Sequence, residues 1–168
     1  MDASLSSSSA FFSKENLQVT TTLTQLGAMS AGTLDYLYSV STADEIPNGE
    51  SNGKAIVLPG TLVGGFFSWL DNIIWKGKIF QSESPTRARL INKILGMHLV
   101  RAEVFFGPSW TDGRQSVIID YRNTSWIAFF IRDEIRKVED GLYLGKAYIR
   151  LPFGGRLMFL YFALDFRV

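Results

Sequence analysis

Cysteine is absent from the 168 residues, and histidine occurs once, at His98. Without thiols there is no disulfide, no thiolate nucleophile and no cysteine metal site, and one imidazole excludes every multi-histidine metal motif. Metal and redox chemistry are therefore not expected, and no cofactor is implied. Net charge is lacking too: 17 basic against 16 acidic residues leave +1, which gives no long-range pull toward nucleic acid or an anionic membrane. Nor is there a long apolar run. The richest stretch, 61–75, contains Asp71 and Gly64-Gly65 and falls short of the ~20 apolar residues of a membrane span, so no stable membrane insertion is expected. The opening nine residues are serine-rich with Asp2 as their only charge. They lack the basic and apolar regions of an export signal, and a cytoplasmic protein is expected.

What the chain does have is apolar bulk. Hydrophobic residues make up 46% and aromatics 14%, including 13 Phe and 4 Trp, enough to bury one core unaided. Residues 1–28 are expected to be a flexible or loosely attached arm, and 29–168 a single domain. Ser30 is placed to cap a short helix that carries Leu34, Leu37, Tyr38 and Ser41 on one face. The turn formers of 46–53 lead into a short strand over 54–58. A helix is predicted from Thr61 with Leu62, Phe66, Trp69, Leu70 and Ile73 on one side, then a strand over 74–81. Ser84-Pro85 predicts another helix, with Leu90, Ile91, Ile94 and Leu95 as its apolar face and Gly96 as its stop.

From Met97 the period changes to two. Strands are predicted over 99–106, 115–121, 126–138, 142–150 and 157–167, separated by turn formers such as Asp112-Gly113 and Asp140-Gly141, which implies an antiparallel meander. In the last strand Met158, Leu160, Phe162, Leu164 and Phe166 form one apolar face, and the opposite face is only slightly wetter. A barrel wall between a filled interior and an external helix needs both faces apolar; a half-solvated flat sheet does not. The expected fold is an antiparallel β-barrel of calycin, lipocalin-like type with helices over one mouth. An α+β cone of the nuclear-transport-factor-like type is the alternative.

The segment Trp75-Lys76-Gly77-Lys78-Ile79-Phe80 resembles the W-x-G-K-x-F signature of the GXWXG and DUF4334 proteins. The order Asp120-Tyr121, then Arg132 within a strand, then Leu142-Tyr143-Leu144-Gly145 is similar to later steps of the same family. Where that family has a first G-x-W-x-G element, this chain has Gly49-Glu50-Ser51-Asn52-Gly53. The resemblance implies a small lipocalin-like barrel.

Candidate chemistry lies in charges within strands. Arg101 and Glu103 share a face, as do Arg132, Glu134 and Arg136, while Asp120, Lys146 and Arg150 lie on neighbouring strands. Facing into a barrel, such groups must pair, and arginine–carboxylate pairs do so best. Trp126 and Phe130 precede Arg132 on the same face of the predicted strand, a gradient suited to a ligand with an apolar body and one oxygen-bearing end. Trp75, Tyr121 and Tyr148 are further candidates for an aromatic pocket wall. The expected function is binding of a small hydrophobic or aromatic molecule by a monomer or homodimer. The alternative is a cofactor-free isomerase or cyclase that moves a proton on a polyketide- or terpenoid-like substrate through Glu134, Asp120 or His98. A fully cross-paired cluster favours the binder; an ionisable group left facing an apolar cavity favours the enzyme.

Overall fold

The computed structural model describes residues 20–56, 75–94, 97–126 and 128–167. The helix predicted from Thr61 falls outside them. Seven strands follow one another as an antiparallel meander: β3 (Trp75–Ser84), β4 (Arg87–Ile94), β5 (Met97–Pro108), β6 (Gln115–Asp120), β7 (Ile131–Glu139), β8 (Leu142–Arg150) and β9 (Arg156–Asp165). Ahead of them, β1 (Gly49–Glu50) pairs with β3 and β2 (Asn52–Ile56) pairs with β9. One continuous segment thus joins the two edges of the meander and brings the sheet round into a barrel.

The junction depends on Ser51 and Gly77. The Ser51 N–H and hydroxyl both donate to the Lys78 carbonyl, at 3.0 and 2.9 Å, and the hydroxyl accepts from the Lys78 N–H at 3.2 Å. Gly77 sits at φ +131°, and a Cβ there would overlap the Ser51 carbonyl oxygen. Only glycine lets the two backbones approach this closely.

Alternation divides the wall. The inner face carries Phe80, Leu90, Ala102, Val104, Val117, Ile119, Ile135, Tyr143, Ala147, Leu160, Phe162 and Leu164, all buried in one cluster. The outer face of β2, β8 and β9 carries Ile56, Leu142, Leu144, Tyr161 and Ala163, covered by Leu26, Leu34 and Tyr38. Those come from α1 (Leu23–Gly27), within the span expected as an arm, and α2 (Ala31–Val40), which Ser30 caps as expected by accepting from the Thr33 N–H.

Three predicted elements are corrected. The helix expected from Ser84-Pro85 is a turn leading into β4. Its apolar residues fit a helical spacing, but Leu90 lies between Phe80 and Ala102 on neighbouring strands, and this lateral pairing overrides the local pattern. The strand expected over 126–138 begins only at Ile131, because 122–124 and 128–130 are turns. In β9 the register shifts between Ala147–Leu160 and Tyr148–Met158, so one extra residue puts Met158 with the outer cluster while Leu160 faces in.

Candidate functional site: a polar cluster inside the barrel

Four polar side chains meet in the apolar interior, each from a different strand or strand end. Lys78 on β3 donates to Asn92 Oδ1 at 2.9 Å, to the Tyr121 hydroxyl at 2.6 Å and to Asp133 Oδ2 at 3.0 Å. Tyr121 donates to Asp133 Oδ2 at 3.1 Å and accepts from Asn92 Nδ2 at 2.9 Å. All four are buried. Their inward direction follows from register, since Lys78 pairs with Asn92 and Asp133 with Ala147 on the inner face. The lysine ammonium also lies 5.4 Å from the centres of both the Tyr121 and Phe162 rings, within cation–π range. Phe162 fits there because β8 has Gly145 opposite, where a Cβ would overlap the ring.

The three ammonium protons meet three acceptors, and one cation faces one carboxylate, so the cluster is neutral and cross-paired. Burial pulls the Lys78 ammonium below its ordinary range, and the Asp133 charge partly restores it. Burial raises the Tyr121 hydroxyl well above its usual value, reinforced by the same carboxylate. The hydrogen bonds that Lys78 and Tyr121 donate to Asp133 both go to Oδ2, and Oδ1 takes none from the other three members of the cluster.

A second polar cluster lies on the outside of the same wall, under α2 and the β5–β6 loop. Arg132, Glu134 and Arg136 alternate outward on β7. Glu134 is completely buried and accepts from the Tyr38 hydroxyl at 3.1 Å, the Ser109 hydroxyl at 2.5 Å, the Trp110 N–H at 2.7 Å and the Arg132 guanidinium. Arg136 binds both oxygens of Asp112, at 2.8 and 2.6 Å, and donates to Ser116 Oγ at 2.9 Å and to the Tyr38 carbonyl at 3.1 Å. The Arg132 guanidinium stacks 4.3 Å from the Trp110 ring and donates to the Pro108 carbonyl at 2.8 Å. Lys146 reaches Asp35 of α2 at 2.7 Å.

Of the sequence-predicted residues whose side chains are described, the structure brings only Tyr121 into the interior cluster. Arg132 and Glu134 belong to the outer one, beside Tyr148, whose hydroxyl is bonded to Thr111 at 2.5 Å and pushed up to about 12 by burial. Asp120 faces outward and binds Arg150 at 2.8 Å. Arg101 and Glu103 are exposed on β5, and Trp126 is exposed in the β6–β7 turns, with Phe130 half-buried next to β7. The gradient from Trp126 and Phe130 to Arg132 along one strand face is therefore not formed. Trp75 lies on β3 and His98 on β5, their side chains outside the described residues. Lys78, Asn92 and Asp133 were not singled out as site residues. The signal available for Lys78 was its place in the Trp75-Lys76-Gly77-Lys78 motif.

Fold and site together define the protein as a calycin-like antiparallel β-barrel with a neutral polar cluster inside it. Neither a known protein family, nor a curated protein, nor a solved structure matches the chain.

Proposed function

We propose that the barrel binds a small hydrophobic or aromatic molecule with its apolar body among the inner side chains and one oxygen-bearing end at Asp133 and Tyr121. The observation that carries this reading is the polar cluster itself, Lys78, Asn92, Tyr121 and Asp133, set among the apolar side chains of the barrel interior with Asp133 Oδ1 outside its mutual hydrogen bonds. Sites of this kind combine apolar walls with a few polar handles. Several inward residues are small, among them Ala55, Ala88, Ala102 and Ala147, which favours space over complete filling in a barrel of this size. The cross-pairing supports the binder over the isomerase or cyclase, because no ionisable group of the cluster is left without a partner. The kinship proposed with GXWXG and DUF4334 proteins is in keeping: Gly77 of the shared motif stands where the barrel closes, and Lys78 inside it.

Native mass spectrometry of protein purified from its own source should show a retained small molecule. Titration with 2-naphthol should quench tryptophan fluorescence in the emptied protein. The double variant Lys78→Met/Asp133→Leu removes the polar end of the site and should weaken 2-naphthol binding about tenfold to a hundredfold, the usual worth of a charge-assisted hydrogen bond. Protein that retains nothing and ignores 2-naphthol would overturn the reading.

A further inference from the structure

The interior cluster lies toward the end of the barrel at which β3 and β7 begin and β4, β6 and β8 finish. Around that end the structure exposes large apolar side chains. Trp126 is 87% exposed in the β6–β7 turns, with Phe129 beside it, and in the β8–β9 hairpin Leu151, Phe153 and Leu157 all face solvent. The two loops are tied together, since the Arg150 N–H donates to the Phe130 carbonyl at 2.7 Å and its guanidinium to the Phe129 carbonyl at 3.2 Å. Phe153 marks the hairpin tip. Its φ of +60° is a conformation uncommon for any residue but glycine, and it holds a phenyl ring wholly in water. Neither the strain nor the exposure serves the fold.

Within these two loops the charges have one sign. Segments 121–130 and 150–157 contain Arg122, Arg150 and Arg156 and no Asp or Glu. Arg150 is answered by Asp120 at 2.8 Å, whereas Arg122 and Arg156 are exposed. At the opposite end Asp44, Glu45 and Asp140 surround Lys137 at 3.2, 3.1 and 3.6 Å. Among the described residues, then, the two loops at one end carry arginine and aromatic side chains, while an acidic group surrounds Lys137 at the other. Tryptophan and phenylalanine at loop tips, flanked by arginines, are what the boundary between headgroups and acyl chains takes up.

We propose that this rim docks the barrel mouth on an anionic phospholipid surface, with Trp126, Phe129 and Phe153 entering the interfacial layer and Arg122 and Arg156 meeting headgroup phosphates. Docking is peripheral, since among the described residues no helix is long and apolar enough to cross a membrane. It does not depend on the barrel holding a ligand. The test is flotation of the full chain with vesicles of phosphatidylcholine alone and with about one third phosphatidylserine. The chain should float with the anionic vesicles at low salt, and not with phosphatidylcholine alone. Arg122→Gln/Arg156→Gln should weaken partitioning about fivefold per arginine removed. Trp126→Ser/Phe129→Ser/Phe153→Ser should abolish it while leaving the circular dichroism spectrum unchanged. Wild-type protein that stays behind at low salt would overturn the proposal. So would a triple variant that floats as well as wild type, or a dimer that the triple substitution dissociates without any vesicle binding.

Discussion

The two buried polar clusters share a strand and little else. On β7 Asp133 points into the barrel while its neighbours Arg132 and Glu134 point out, so three consecutive residues serve two sites. Inside, one cation, one carboxylate and two neutral groups pair among themselves, and one carboxylate oxygen stands outside those bonds. Outside, Glu134 and Arg136 also bind a helix and a loop, through Tyr38, Ser109, Trp110 and Asp112. The outer groups fasten α2 and the β5–β6 loop to the wall; among the described residues the inner ones join β3, β4 and β7 with the end of β6. A dense set of charges here marks attachment, and a sparse one marks the candidate site.

The largest effect should follow from breaking the outer cluster. Glu134→Leu would strand the Arg132 guanidinium and leave the Tyr38 hydroxyl, the Ser109 hydroxyl and the Trp110 N–H without their acceptor. Removing one partner of a buried pair costs about 3–5 kcal/mol, so urea unfolding should show a loss of that size. A loss under about 1 kcal/mol, the worth of an exposed pair, would mean that the outer cluster is solvated and fastens nothing.

Next in size is an alkaline effect that separates the two clusters. Burial first, and then the Glu134 charge, raises the Tyr38 hydroxyl above its ordinary value near 10. The unfolded chain therefore loses this proton first. The stabilisation is present below about pH 10 and is lost as pH rises above it, at about 1.4 kcal/mol per pH unit for each such tyrosine. Tyr121 adds the same sign. Lys78, held below its ordinary value, has the opposite one: its folded form releases the proton first, so stability rises with pH until the unfolded lysine titrates near about 10.5. Between about pH 10 and 10.5 the inner cluster is thus partly compensated while the outer one is not, and above that both fall. Urea midpoints measured upward from about pH 10 should decline less steeply in Tyr38→Phe than in wild type; equal slopes would sink the assignment.

Much of this was legible in the sequence. The β8 bounds, the Ser30 cap and the meander from Met97 onward follow from period and turn chemistry, which are local. What local pattern could not supply was lateral. Leu90 is set between Phe80 and Ala102 and so belongs to a strand, although its spacing to Ile91 and Ile94 suits a helix. The extra residue in β9 moves Met158 outward, and no alternation rule announces it. The site was missed for a related reason. Arg132, Glu134 and Arg136 are conspicuous because they cluster along the chain, whereas Lys78, Asn92 and Asp133 are single polar residues in separate strands that only register brings together.

The smallest stability change should come from emptying the inner cluster as a unit, and it discriminates most sharply between the two. Lys78→Met alone leaves the Asp133 carboxylate in an apolar interior without its cation, and should cost about 3–5 kcal/mol. Lys78→Met/Asp133→Leu removes both charges together. Tyr121 and Asn92 keep their own hydrogen bond at 2.9 Å, and although the Tyr121 hydroxyl loses its acceptor and Asn92 Oδ1 its donor, no charged group is orphaned, so the double variant should lose about 1–3 kcal/mol, less than Lys78→Met alone. The corresponding outer pair, Arg132→Met/Glu134→Leu, gains no such recovery, because Tyr38, Ser109 and Trp110 still lose their acceptor. Double-mutant cycles by urea unfolding should then show stronger coupling inside than outside. Equal coupling at both clusters would mean that the inner residues, like the outer ones, are part of the scaffold, and the barrel would lose its distinct site.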